Sequence, residues 1–287
     1  MLDGLNLMWS WSLGVLLFLL LLCLLYILGL RHVARYSPET RTSTYRVIAF
    51  FLAILIMAVM LTTPIDTVAR TQLFSVHMAQ TVVLTTLCAP LVLVGCPEVL
   101  LRPLLNTPFV RDIIRIVTRP LVASITFNLL FLLWHAPRIF HLALQSTPLY
   151  HVEMLSIFCA SLLNWYPLIG SLHDLRRMSY PLQMLYAFFD GQPVDIFAFV
   201  LVFTGVAIYP YYHIPPQLGL SAFADQAAGG ALLLIPGLTD LAVMSPLFFR
   251  WLSRIEQQTR LADQSRYEQA ELEDELEEDE VEKTSEI

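Results

Sequence analysis

Apolar residues come in seven long runs, at 11–30, 47–62, 73–95, 121–134, 150–170, 182–208 and 227–249, separated by short polar stretches. A helix rises about 1.5 Å per residue, so a run of about 20 residues crosses a hydrocarbon layer of about 30 Å. The pattern predicts an all-α, polytopic membrane protein with seven transmembrane helices. The sixth run is interrupted by Asp190-Gly-Gln-Pro-Val-Asp195 and the seventh by Pro236-Gly237 and Asp240, so both are expected to kink. The first run lacks a basic leader and exceeds the usual length of a signal core, and is expected to be a retained span.

Composition agrees with the pattern, since 56% of residues are hydrophobic, 14% are charged and mean hydropathy is +0.63. The net charge of −7 is misleading, because residues 252–287 hold 13 of the 24 acidic and 4 of the 17 basic residues. The expected division is a seven-helix membrane domain over 1–251 and a charged, acidic, largely disordered cytoplasmic tail over 252–287, helical where it starts. Alternate loops place 15 of the 17 basic residues on one side, including Arg41, Arg176 and Arg177, and only Arg70 and Arg138 on the other. Basic residues near spans stay in the cytoplasm, so the N-terminus is expected outside and the C-terminus in the cytoplasm. The four cysteines show no paired spacing and read as small apolar residues rather than a disulfide framework.

The histidines divide in the opposite sense. His77, His135, His141, His151 and His213 fall on the outer side, and only His32 and His173 on the other. Met78 and Met154 share the outer level with the carboxylates Asp66, Glu153 and Asp225. Imidazole with thioether favours copper, Cu(I) above all. His77, His135, His151, Met154 and Met78 are therefore the candidate metal ligands. Asp190, Asp195 and Asp240 lie within predicted spans, where a charge costs at least about 2.5 kcal/mol. They are expected to be hydrogen-bonded to neighbouring helices, with a proton or ion path as the alternative. No phosphate loop, nucleophile elbow or basic nucleic-acid surface is present in the sequence, so neither a soluble-type enzyme nor a nucleic-acid partner is expected.

Thr63-Pro-Ile-Asp66, His77-Met-Ala-Gln80, Ala89-Pro90 and Gly95-Cys-Pro97 together resemble the seven-span CtaG-type cytochrome c oxidase assembly factors. The likeness continues in Trp134-His135-Ala-Pro137, Glu153, Asn164-Trp-Tyr-Pro167, Asp225-Gln226, Gly229 and Pro236-Gly237, and covers residues 60–240. The resemblance implies a non-enzymatic protein of the bacterial inner membrane that matures a haem-copper oxidase by binding or delivering copper at the outer face. Its implied partners are the bilayer and the oxidase subunits. It makes His77 and His135 the matching histidines, and Asp66, Glu153, Asp225 and Gln226 supporting polar residues. Thr81 and Met154 stand where members of the family tend to have further histidines. The alternatives are a metal-free scaffold for oxidase subunits, a copper transporter or tolerance protein that uses the membrane-depth aspartates, and a haem protein.

Overall fold

The computed structural model describes residues 4–36, 42–172, 175 and 178–285. His173, Arg41, Arg176 and Arg177, used above to sort the two sides, lie outside the described residues. Every regular element described is helical. In chain order these are α1 Leu13–Tyr36, α2 Thr44–Thr62, α3 Pro64–Thr71 and α4 Phe74–Gly95, followed after a linking turn by α5 Pro108–Val117 and α6 Pro120–Trp134. Then come α7 Pro137–Gln145, α8 Thr147–Ile169, α9 Tyr180–Phe203, α10 Ala222–Leu233 and α11 Ile235–Ser285.

Six helices are long and apolar enough to cross a membrane, and the pair α5 and α6, bent by 71°, makes a seventh if counted as one span. This is the polytopic, all-helical protein that the apolar runs predict. The fourth run forms only the 15 residues of α6, about 22 Å of helix and short of a full crossing. Pro120 sets the bend before it, holding Arg119 in an extended conformation. The sixth run, expected to kink, is one helix through Pro193, and the seventh breaks at Leu234, just before Pro236-Gly237. The last helix continues to Ser285, past the helical start expected of the tail.

The segment Thr63-Pro64-Ile65-Asp66 turns the chain between α2 and α4. Thr63 caps α3 by accepting from the Ile65 amide, and Pro64 occupies a first-turn position where no N–H is needed. The outcome is a short helix that carries Asp66 inward.

Within α4 the residues Val83–Cys88 form a π turn. There the Ala89 amide bonds to the Leu84 carbonyl, five residues back. The next such bond would need an N–H on Pro90, which has none, so the Thr85 carbonyl is left over. The Trp165 indole N–H of α8 takes it at 2.9 Å. Ala89-Pro90 and Asn164-Trp165 thus answer one another across the interface. Farther along α4, Gly95 meets α2 so closely that a Cβ would lie 2.7 Å from Phe50 Cβ and 2.8 Å from its backbone nitrogen. Only glycine permits that approach.

α4 runs through the middle of the bundle, packed by α2, α3, α8 and α10, while α6 and α9 lie against one another and α8 packs on α6. One apolar core joins α1, α2, α4 and α8 around Met57, Leu61, Leu84, Tyr150 and Met154. A second joins α4, α6, α7, α9 and α10 around Phe74, Met78, Phe131, Phe140 and Leu201. Between the two cores, at the end of the bundle where α4 and α8 begin and α6 ends, lie most of the buried polar side chains.

Candidate metal centre

Near its start α4 presents His77, α6 ends on His135, and α8 brings in Glu153; all three are buried. The two Nε2 atoms face each other at 3.3 Å. A Glu153 carboxylate oxygen lies 3.5 Å from Nε2 of His77, and one ligand atom from each of the three residues lies within 4.8 Å of the others.

The partners of the outward nitrogens decide where the ring protons sit. His135 Nδ1 is 2.8 Å from the Phe131 carbonyl, which can only accept, so Nδ1 carries the proton and Nε2 a bare lone pair. His77 Nδ1 lies 3.1 Å from the Tyr150 hydroxyl. That hydroxyl donates to Gln80 Oε1 at 2.6 Å, while the Gln80 amide nitrogen donates to the Met60 carbonyl at 2.7 Å and to Asp66 at 3.1 Å. The Tyr150 proton is therefore spent on Gln80, and its oxygen accepts from His77 Nδ1. The chain from Asp66 through Gln80 and Tyr150 to His77 leaves a second bare Nε2 facing the first.

Two imidazole lone pairs at 3.3 Å cannot hydrogen-bond to each other, and both oxygens of the buried Glu153 carboxylate lack any hydrogen-bond partner. Unpaired buried acceptors are costly, about 1–3 kcal/mol each and more when charged. A cation between them removes the penalty. Two ligands at about 2.0–2.1 Å from one ion in a tetrahedral arrangement are about 3.3 Å apart. The fixed Nδ1–H donors match the way metal-binding histidines are oriented.

Aromatic side chains seal this end. Phe131 stacks on His135 with ring centres 4.2 Å apart, and Phe140 of α7 meets His77 edge-on at 4.9 Å. The Tyr209 hydroxyl donates to the His135 carbonyl. Burial first, then the neighbouring Glu153 and Tyr211, raise the Tyr209 phenol above its ordinary range, so it remains a donor. Asp225 reaches from α10 to accept from the Phe74 and Ser75 amides, holding the start of α4, and Gln226 pins the chain after α9 through the Ile208 and Tyr209 amides.

The candidate ligands separate in space. His77 and His135 meet. Glu153, expected as a supporting residue, stands directly beside them. His151 gives its Nε2 to Asp66 at 3.1 Å. Met78 packs in the second apolar core and Met154 in the first. Thr81 and Met154, where the resemblance leads one to expect further histidines, touch each other, with Oγ1 and Sδ 3.9 Å apart. Tyr150 and Gln80, absent from the sequence-derived set, orient His77. Both are on helix faces already in use, Tyr150 three residues before Glu153 and Gln80 three after His77.

The membrane-depth aspartates form a separate group. Asp190 accepts from Asn164 and Asn128 on neighbouring helices, the interhelical hydrogen bonding expected of it. Asp195 and Asp240 converge over Gly191, where the carboxylate oxygens lie 3.7 and 3.1 Å from the position of a Cβ. The Asp190 group lines a cavity of about 60 Å³ that reaches Thr81 and Thr85.

Fold and site together define a multi-pass membrane protein whose bundle encloses two imidazoles and a carboxylate able to hold a metal ion. Over residues 24–254 the sequence matches the family model of the cytochrome c oxidase caa3 assembly factor (Caa3_CtaG), and the chain belongs to that family. Neither a curated protein nor a solved structure matches the chain.

Proposed function

We propose that this chain is a non-enzymatic assembly factor of a bacterial inner membrane that holds copper for a haem-copper oxidase, with His77, His135 and Glu153 as its ligands. The observation that carries the reading is the pair of facing Nε2 atoms, whose rings place their protons on Nδ1, beside a carboxyl group with no hydrogen-bond partner. Imidazole suits copper. Charge favours Cu(I), since a monovalent ion beside one carboxylate is net neutral, whereas a divalent ion would leave a buried positive charge. The sequence points to Cu(I) through imidazole with thioether; charge balance supports the same ion without sulfur in the set. The site end of the bundle faces outward in this reading, following the basic residues, and the client is an oxidase subunit that receives the copper.

The test is metal content together with the visible spectrum of detergent-purified protein from copper-replete cells. About one copper per chain and no haem absorption are expected, with copper lost and oxidase maturation impaired in His77→Ala with His135→Ala. Copper-free protein together with normal oxidase maturation in the double variant would overturn the proposal.

A further inference from the structure

A second cavity, of about 880 Å³, opens beside α3 at the same end of the bundle, between the segment preceding α1 and the start of α8. Arg70, one of the two basic residues that the side count leaves apart from the others, lines it, with its Nε buried and without a partner. No carboxylate lines the cavity among the described residues, and none of those makes an ion pair with Arg70. The first turns of α1 and α8, helices of 24 and 23 residues, border it, and the Ser146 side chain ahead of α8 makes no capping bond. Free amides and the positive ends of two helix dipoles therefore add to the guanidinium.

His151 supplies an independent observation. It is 4% exposed, lines the same cavity, and has Nδ1 buried with no partner. In the neutral ring, with Nε2–H given to Asp66, Nδ1 is an acceptor that needs a donor. The walls beyond these groups are apolar, formed by Val15, Phe18 and Leu155, and the stacked Trp9 and Trp11 stand at the rim as aromatic residues do at a membrane interface.

We propose that this cavity binds the headgroup of a phospholipid bearing a hydrogen-bond donor, of the phosphatidylglycerol or phosphatidylethanolamine kind. Its phosphate lies against Arg70 and the two helix starts, its hydroxyl or ammonium donates to His151 Nδ1, and its acyl chains follow the apolar wall. α3 carries both Arg70 and Asp66, so the bound headgroup braces the hydrogen-bonded chain that orients His77. The proposal does not rest on the copper reading.

Native mass spectrometry of the full-length protein in detergent tests it, with phosphatidylglycerol, phosphatidylethanolamine and phosphatidylcholine added in turn and inorganic phosphate as a competitor. The donor-bearing lipids are expected to bind about tenfold more tightly than phosphatidylcholine, and Arg70→Gln to weaken all three about tenfold, the loss of one charged hydrogen-bonding partner. His151→Phe is expected to erase the preference for donors; if it does not fold, the preference of the unaltered protein and the Arg70→Gln result decide alone. Equal binding of all three lipids, no effect of Arg70→Gln, or displacement by equimolar inorganic phosphate would overturn the assignment.

Discussion

Replacing Glu153 by glutamine should stabilise the metal-free protein and remove most of the stabilisation that copper gives. Without metal, Glu153 is a buried carboxylate whose two oxygens have no hydrogen-bond partner. Glutamine keeps the volume, cannot ionise, and offers an N–H to the bare His77 Nε2, which lies 3.5 Å from the present oxygen. Relief of one such unsatisfied group is worth about 1–3 kcal/mol, so the metal-free variant should unfold later than the unaltered protein. Copper, in turn, should stabilise the variant far less than it stabilises the unaltered protein. At a free copper concentration of 100 times the dissociation constant, binding stabilises the folded protein by about 2.7 kcal/mol; a 100-fold loss of affinity leaves about 0.4 kcal/mol. The assay is thermal unfolding in detergent with and without buffered Cu(I), alongside copper affinity from competition with a chromophoric chelator. A variant that is less stable without metal and gains as much from copper as the unaltered protein would refute the site argument, because Glu153 would then be a structural anchor.

Three further outcomes follow from neighbouring residues. Tyr150→Phe removes the oxygen that accepts from His77 Nδ1 and should weaken copper binding about 10–100-fold, read by the same chelator competition, while the bond from His135 Nδ1 to the Phe131 carbonyl persists. Gly229→Ala places a methyl 2.7 Å from Phe74 Cδ1 and 3.1 Å from Met78 Cγ, which should cost about 1–3 kcal/mol in thermal unfolding; an unchanged midpoint would show that α10 moves away freely. Cys96, just past the end of α4, has its thiol raised from the ordinary 9.0 to about 11, by burial and against the opposing effect of Arg46. At pH 8 it should hold about 100-fold less thiolate than a peptide cysteine and alkylate correspondingly slowly, as site-resolved mass spectrometry after iodoacetamide would show.

What the sequence reveals and what it conceals both follow from helix periodicity. Apolar runs specify the spans because length alone decides whether a helix crosses, and His77 and His135 are paired by level because both stand at span ends. The ligand choice on α8 is a matter of rotation. His151 and Glu153 are two residues apart, about 200° around a helix, so they face opposite ways, and only the positions of α3 and α4 decide that Asp66 receives the first and the candidate metal centre the second. Tyr150 was legible in principle, since the spacing of Tyr150, Glu153, Met154 and Ile157 marks one buried face. The π turn of α4 was harder to foresee. Its wide turn changes the rotational phase between His77 and the second half of the helix, so a uniform 3.6-residue period misassigns the faces beyond Val83. Its sequence signature is divided between two helices, a proline at position 90 that cannot donate and a tryptophan at position 165 that can. Because α8 supplies both that indole and Glu153, the bond that completes α4 also fixes α8 against it, two turns of helix or more from the ligands. The candidate metal centre is thus held at a distance by a contact that neither helix could form alone.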